Sequence, residues 1–227
     1  MRTKSETRRQ AILQAAAQVF QEMGYERAAM SDISAHVGYS KATLYSYFAS
    51  KEELFYEMVT QATEAEFRAT HEALDPTVED IRPALQRFGE RLLALLYSPQ
   101  VQAVRRLVIA EAGRSDLGKR CYDLGPARSI AVVAAFLQDA MEEGKLRRAD
   151  PRLAALHLHG LLDAEWMDQF LFRLVEQLSR KQIVDTVARA IDVFMAAYQP
   201  DGGERAAPRK PRPAKTSAAS RTQAAQR

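Results

Sequence analysis

Apolar residues recur at helical spacing along most of the chain, and the breaks between the stripes mark its elements. Ile12, Ala16, Val19, Phe20 and Met23 fall at i, i+4, i+7, i+8 and i+11, one face of a helix that Gly24 ends. Thr3 and Glu6 have capping-box spacing and put its start near residues 3–5. Two shorter segments follow. Ile33 and Val37 lie one turn apart, then Gly38 offers the positive φ that closes a helix in a tight turn. Ser40 is placed to cap a second short helix, in which Leu44 and Phe48, again one turn apart, dock on the first. Two short helices around a glycine-containing turn form a helix-turn-helix pattern over about residues 29–48.

Ser50 and Glu53 form a second capping box, opening a helix that runs to about Ala73 with Leu54, Met58, Ala62 and Ala65 on one stripe and Phe55 and Val59 beside it. At 1.5 Å per residue such a helix spans roughly 33 Å, long enough to leave the first domain and enter the next. Asp75-Pro76 breaks it. Ile81, Leu85, Phe88, Leu92 and Leu95 give the next stripe, ended by Ser98-Pro99. Residues 101–112 read as a short helix with Val104, Leu107, Val108 and Ala112 inward. Gly113, Gly118 and Gly125-Pro126 punctuate a looser segment holding Cys121, and residues 126–143 form an apolar helix through Ile130, Val133, Phe136 and Leu137, closed by Gly144. Asp150-Pro151 starts a helix with one face of Leu153, Leu156, Gly160, Leu161 and Ala164 and another of Ala154, Leu158 and Leu162. Ser179 and Gln182 cap a last helix with Ile183, Val187, Ile191 and Phe194 on one face and Val184, Ala188, Met195 and Tyr198 beside it. These last two helices carry apolar bands too wide for one core contact, which a second partner surface explains. No strand alternation of useful length occurs, so the fold class is all-α: an N-terminal three-helix helix-turn-helix domain (1–50), a larger helical domain (51–200) and a terminal tail (201–227).

Composition adds bounds. Apolar residues make up 47% of the 227 and charged ones 27%, ordinary values for a chain with a buried core. The longest clean apolar run, residues 130–137, is far short of a membrane span, and the N-terminal stretch, interrupted by Gln14 and Gln18, reads as an amphipathic helix rather than a signal peptide. A single cysteine excludes an intrachain disulfide and fits a reducing, cytoplasmic setting. The net charge of +3 conceals a split: residues 201–227 hold seven Lys/Arg and two Asp/Glu, contributing +5 and leaving −2 for the rest. That proline-, alanine- and cation-rich tail lacks apolar anchors and is expected to be disordered; added non-specific DNA attraction and simple solubility are both open as its role.

The second helix of the motif carries the most informative chemistry. With Leu44 and Phe48 inward, Ala42, Thr43 and Ser46 face outward, small enough to let a helix sit deep in a groove. Tyr45 and Tyr47 flank that face, Lys41 and Lys51 stand near its ends, and Ser31 and Ser40 place hydroxyls at helix starts. Phosphates take cationic and hydroxyl partners at the rim, and base edges take short polar or methyl-bearing side chains at the centre. The cations Arg2, Lys4, Arg8 and Arg9 either reach a phosphate backbone or are solvated charges; the sequence leaves both open. Enzyme chemistry has little to stand on. His157 and His159 point about 200° apart around a helix, neither HExxH nor GxSxG occurs, and no cofactor or metal is expected. Cys121 reads as a plain thiol sooner than a redox sensor.

Gly24-Tyr25, Met30-Ser31-Asp32-Ile33, Val37-Gly38-Tyr39-Ser40, Thr43-Leu44-Tyr45-Ser46-Tyr47-Phe48 and Ser50-Lys51-Glu52-Glu53-Leu54 together resemble the TetR/AcrR family of bacterial transcriptional regulators. The resemblance runs through about the first 65 residues; a weaker one, at Arg106–Arg114 and Leu124–Arg128, joins residues 101–144 to the C-terminal domain of one subgroup. It implies a DNA-binding N-terminal domain, a divergent helical C-terminal domain, a homodimer through a bundle of two helices from each subunit (about 150–175 and 179–198), and repression relieved by a small ligand. Ala28 and Ala29 depart from the family's usual Thr or Ser, so the cap of the first motif helix must come from elsewhere, with Ser31 as the candidate, and Ala42 stands where glycine is frequent.

The expected function is sequence-specific binding of double-stranded DNA, at a palindromic operator, by a repressor released by a small apolar ligand. The alternative is a DNA-associated protein-interaction module without an inducer. Candidate pocket residues are Phe88, Leu92, Val104, Val108, Glu111 near Arg114, Phe136, His159, Trp166, Met167 and Phe170.

Overall fold

The computed structural model describes residues 5–200 apart from Pro76, Ala112, Arg114 and Ser115. Every regular element among them is a helix, and no described helix is long and apolar enough to cross a membrane. The basic tail and the Thr3 half of the first capping box lie outside the described residues.

The first domain forms around α1 (Glu6–Met23), α2 (Met30–Val37) and α3 (Lys41–Tyr47). Ile12, Ala16, Val19 and Phe20 of α1 bury the expected stripe, and Gly24 ends it at φ 77°. Ile33, Leu44 and Phe48 are at most 1% exposed, so both motif helices dock as their spacing required. Gly38 sits in the left-handed region (φ 73°, ψ 22°), where a Cβ would be strained. The cap of α2 differs from expectation: Ser31 does not supply it. Asp32 Oδ2 accepts the Ala29 N–H at 2.8 Å, the reach-back half of a capping box whose hydroxyl half Ala29 lacks, and the carboxylate suits the positive end of the helix dipole.

Helix α4 (Lys51–Glu72) is capped as predicted, with Ser50 Oγ accepting from Glu53 N at 3.1 Å and Glu53 Oε2 from Ala49 N at 2.6 Å. Its first half belongs to the N-terminal core through Leu54, Phe55, Tyr56 and Val59, which also takes in Val104 and Leu117. Beyond Val59 the buried face rotates away from the expected stripe. Ala62 and Ala65 are exposed, while Thr70 and His71 are buried and Thr63 and Phe67 half-buried. Polar Thr63 and Thr70 can face inward because each hydroxyl donates to a carbonyl of its own helix, Val59 O and Glu66 O.

The second core is built by α5 (Arg82–Leu96), α8 (Pro126–Glu142), α9 (Pro151–Asp163) and α11 (Arg180–Tyr198), with the short α10 (Met167–Leu171) at one end. Gly89 brings α5 against α9 and α11 so closely that a Cβ there would lie 2.9 Å from both Leu162 and Val187 side-chain carbons. Between the two cores run α6 (Pro99–Glu111) and α7 (Leu117–Leu124). The glycine-punctuated segment read as loose is therefore helical through Cys121, because Gly113 and Gly125 fall outside α7. Asp150 caps α9 by accepting from Arg152 N and Leu153 N, and Ser179 and Gln182 close the predicted box on α11.

Candidate nucleic-acid interface and inner cavity

Ser40 Oγ accepts the Thr43 N–H at 3.1 Å, and Leu44 and Phe48 pin α3 to the core, so the opposite face is turned to solvent. Lys41, Ala42, Tyr45 and Ser46 are exposed there, with Thr43 and Tyr47 half-buried at its edges. The face inferred from periodicity is thus brought together. Exposed Ser46 donates through Oγ to the Thr43 carbonyl at 2.7 Å, which commits its proton and leaves the oxygen an acceptor, and Thr43 Oγ1 lies 2.9 Å from Ser40 Oγ. Tyr47 Oη accepts the Ser5 N–H at 3.0 Å, tying the start of α1 to α3. Ser31, half-buried on α2, makes no cap.

Lys51 has a different place from the free cation expected. Its Nζ donates to the Tyr25 and Ala28 carbonyls at 2.9 and 3.1 Å and lies 4.2 Å from the Tyr25 ring centroid. It fastens the loop between α1 and α2 to the start of α4. Tyr25 in turn donates to Glu52 Oε1 at 3.0 Å, and burial together with that carboxylate pushes the phenol's pKa well up, so the bond keeps its proton at neutral pH. Among the N-terminal cations, Arg9 faces inward to Glu57 at 2.6 Å, Arg8 lies exposed, 5.9 Å from the Tyr39 ring, and Arg2 and Lys4 lie outside the described residues.

Glu57 also receives Arg120 of α7, which reaches Glu53 at 2.9 Å as well. Arg120 is lifted above its ordinary pKa by these two carboxylates against the opposing effect of burial. The cluster Arg9–Glu57–Arg120–Glu53 joins α1, α4 and α7 on the C-terminal side of the reading unit.

Next to that cluster lies a cavity of about 360 Å³. One wall is α4, through Tyr56, Val59, Thr60, Thr63 and Phe67; the others come from the end of α5, α6, α7 with Cys121, Ser129 and Ile130 of α8, and His159 and Leu162 of α9. Four candidates, Leu92, Val104, His159 and Met167, line it. The remainder do other work. Phe88 and Phe136 are core, Phe88 packing its ring between His71 and His159. Trp166 donates to Thr186 Oγ1 at 3.0 Å between α9 and α11, and Phe170 lies under the Arg105 and Arg106 guanidiniums. Val108 packs against the N-terminal core, and Glu111 stands near Tyr25, where its charge helps raise the phenol; Arg114 lies outside the described residues. The α4 wall was missed because Thr60, Thr63 and Glu64 look like a solvent face; only the Tyr56–Phe67 spacing hinted otherwise.

Polar groups on the cavity are few and mostly paired. Asp163 accepts from Tyr97 and lies 3.4 Å from Arg105, Glu64 holds Arg128 through two bonds of 3.0 Å, and Ser129 bridges His71 and His159. Burial pushes both imidazoles down and the Cys121 thiol up, against a weaker pull from Arg105 on the thiol, which leaves Cys121 an inert wall group at neutral pH. His157 turns instead to the Tyr198 hydroxyl at 2.6 Å.

On the outer side, α9 and α11 leave Leu153, Leu156, Val184 and Val193 between 38% and 54% exposed, and Leu156, Gly160, Leu161, Val193 and Ala197 share one concave face. This is the side of the two helices left over once the inner bands are buried.

Known proteins match both halves of this architecture. Residues 12–58 match the family profile of bacterial regulatory proteins of the tetR family, and residues 83–200 that of the AefR-like transcriptional repressor C-terminal domain. The HTH-type transcriptional regulator UidR of Escherichia coli is 31% identical over 157 residues, covering 61% of this chain and 80% of its own. Among solved structures, a protein from Mesorhizobium loti described as a TetR-family transcriptional regulator is 30% identical, with a TM-score of 0.74 over 87% of this chain and all of its own. A flavonoid-responsive regulator, FrrA, is 28% identical, with a TM-score of 0.62 over 86% of this chain and 99% of its own. The chain belongs to the TetR family of DNA-binding transcriptional regulators.

Proposed function

We propose that this regulator is a homodimeric repressor that α3 seats in the major groove of a palindromic operator and that a small, largely apolar ligand releases. The observation that carries the reading is the double use of α4. Its N-terminal turn holds the loop before α2 through Lys51 and the end of the α3 segment through Glu53, which accepts the Ala49 N–H, and the same helix forms one wall of the 360 Å³ cavity from Tyr56 to Phe67. A ligand that prefers a conformation in which α4 is displaced changes the spacing of the two reading units, which in dimeric helix-turn-helix proteins is about 34–36 Å or a multiple. The size and apolar character of the cavity favour this over a protein-docking module, for which a filled core is expected.

On α3 the small outward face is assigned to base edges. With its own proton given to the Thr43 carbonyl, Ser46 Oγ is set to accept from an adenine N6 or cytosine N4 amino group. Tyr47 and Lys41 are assigned to phosphates. Dimerisation is assigned to the outer faces of α9 and α11 around Leu156 and Val193. Sequencing genomic fragments selected by the full chain tests the reading: inverted repeats with half-sites one helical turn apart support it, and single half-sites or no enrichment contradict it.

A further inference from the structure

Ser129 Oγ lies 2.8 Å from His71 Nε2 and 3.0 Å from His159 Nε2. Each imidazole's other nitrogen faces a carbonyl of its own helix, His71 Nδ1 at 2.7 Å from Phe67 O and His159 Nδ1 at 2.8 Å from Ala155 O. A carbonyl oxygen cannot donate, so both Nδ1 atoms carry their protons, and in the neutral rings both Nε2 atoms are acceptors. A serine hydroxyl has one proton for two acceptors. One Nε2 is therefore left facing an oxygen lone pair. Protonating a ring would cure this, but burial disfavours the charged form of both, and Arg128 and His159 add repulsion at His71; Asp163 offsets this in part at His159. Among the described residues of the α4 wall, the Thr63 hydroxyl is spent on the Val59 carbonyl and the Tyr56 hydroxyl on the Arg120 carbonyl. Of the two rings, His159 lines the cavity.

We infer that the cavity's polar anchor is His159 Nε2, with the Ser129 hydroxyl swung to His71 so that its oxygen uncovers that lone pair, and that it selects an uncharged aromatic or aliphatic ligand bearing a hydroxyl that donates to that nitrogen. This deepens the cavity reading above and rests on it. A carboxylate ligand is the wrong complement to His159 Nε2, since it brings only acceptors to a nitrogen that needs a donor. The charged groups around it, Glu64 with Arg128 and Asp163 with Arg105, already form opposite pairs. Arg105 Nη1 is buried without an acceptor of its own, while Nη2 of the same guanidinium lies 3.4 Å from Asp163, one turn beyond His159, and meets its charge there. A hydroxyl's oxygen can accept as well as donate, which a purely apolar ligand cannot match.

Calorimetry on the full-length dimer with 2-naphthol, naphthalene and 2-naphthoate tests this. The expected result is that 2-naphthol binds about five- to tenfold more tightly than naphthalene, the size of one well-placed hydrogen bond, and that 2-naphthoate binds no better than naphthalene. In His159→Phe the naphthol preference should vanish while naphthalene still binds. In wild-type protein labelled at histidine nitrogen, the Nε2 signal of His159 should move toward a hydrogen-bonded value with 2-naphthol and stay with naphthalene, a readout that needs no variant. Equal binding of naphthol and naphthalene, preference for the carboxylate, or a preference surviving His159→Phe overturns the hydroxyl inference and leaves the cavity reading standing. Binding of none of the three overturns both.

Discussion

At the scale of single residues, the reading helix separates side chains that hold it from those that it presents. Thr43 and Ser46 are assigned to bases, so Thr43→Ala and Ser46→Ala should relax sequence preference at one operator position each, by about 1–3 kcal/mol per base pair, with little change in salt dependence. Selection on randomised operators checks this, and unchanged discrimination would remove the assignment. Lys51 should behave differently. Its ammonium satisfies two carbonyls of the loop between α1 and α2, so Lys51→Gln is expected to cost about 1.5–3 kcal/mol of folding stability, read by denaturant unfolding, before any effect on DNA is counted. Periodicity placed this lysine correctly at the helix edge, but its partners are carbonyls 23 and 26 residues earlier, which no local pattern reveals. The buried imidazoles give a pH prediction. Both folded values lie below the ordinary value near 6.5, so the unfolded chain takes up protons first. The stability that the neutral rings contribute is full above about pH 6.5 and is lost as pH falls below it toward the folded values. Thermal unfolding of wild type should therefore weaken between about pH 6.5 and 5, before the carboxylates titrate, and the combined His71→Phe, His159→Phe variant should flatten that part of the profile.

At the scale of elements, α4 is the member common to the helix-turn-helix unit and the cavity, and so to the proposed reading and sensing. Its cap was legible because Ser50 and Glu53 act within one turn, and its first stripe was legible because Leu54 to Val59 pack locally. The second half was misread because the next apolar residues in phase, Ala62 and Ala65, are too small to decide a face. Phe67, His71 and the threonines instead follow α5 and α8, whose positions are set by tertiary packing. Helix α7 is not legible in the sequence for a related reason: its glycines read as breaks, although Gly113 and Gly125 only flank it. Arg120 on α7 bridges Glu53 and Glu57, so Arg120→Ala should leave ligand affinity nearly intact while weakening the ligand's effect on operator affinity. Paired ligand and operator titrations separate these two outcomes.

At the scale of the whole molecule, the described chain presents two apolar demands. The first is the partly open cavity. The second is the outer face of α9 and α11, whose breadth was evident in the sequence because both helices carry apolar residues on more than one side. Which side turns outward was not, since that depends on Gly89 letting α5 approach closely enough to bury Leu162 and Val187. Leu156→Glu and Val193→Glu, both at exposed positions, should leave helical content unchanged while converting the dimer to monomer in sedimentation, with operator affinity falling steeply. Residues 1–200 carry −2, with seven of the chain's basic residues in 201–227, so one reading unit is expected to hold DNA weakly, and the proposed second copy would supply the further contacts.

The most direct test of ligand-controlled reading is the operator affinity of the dimer, followed by fluorescence anisotropy at fixed salt while a ligand that calorimetry has placed in the cavity is raised through its dissociation constant. A progressive loss of operator affinity, abolished when the cavity is filled by Leu92→Trp, is the predicted result. Saturation of the cavity with operator affinity unchanged would contradict the account.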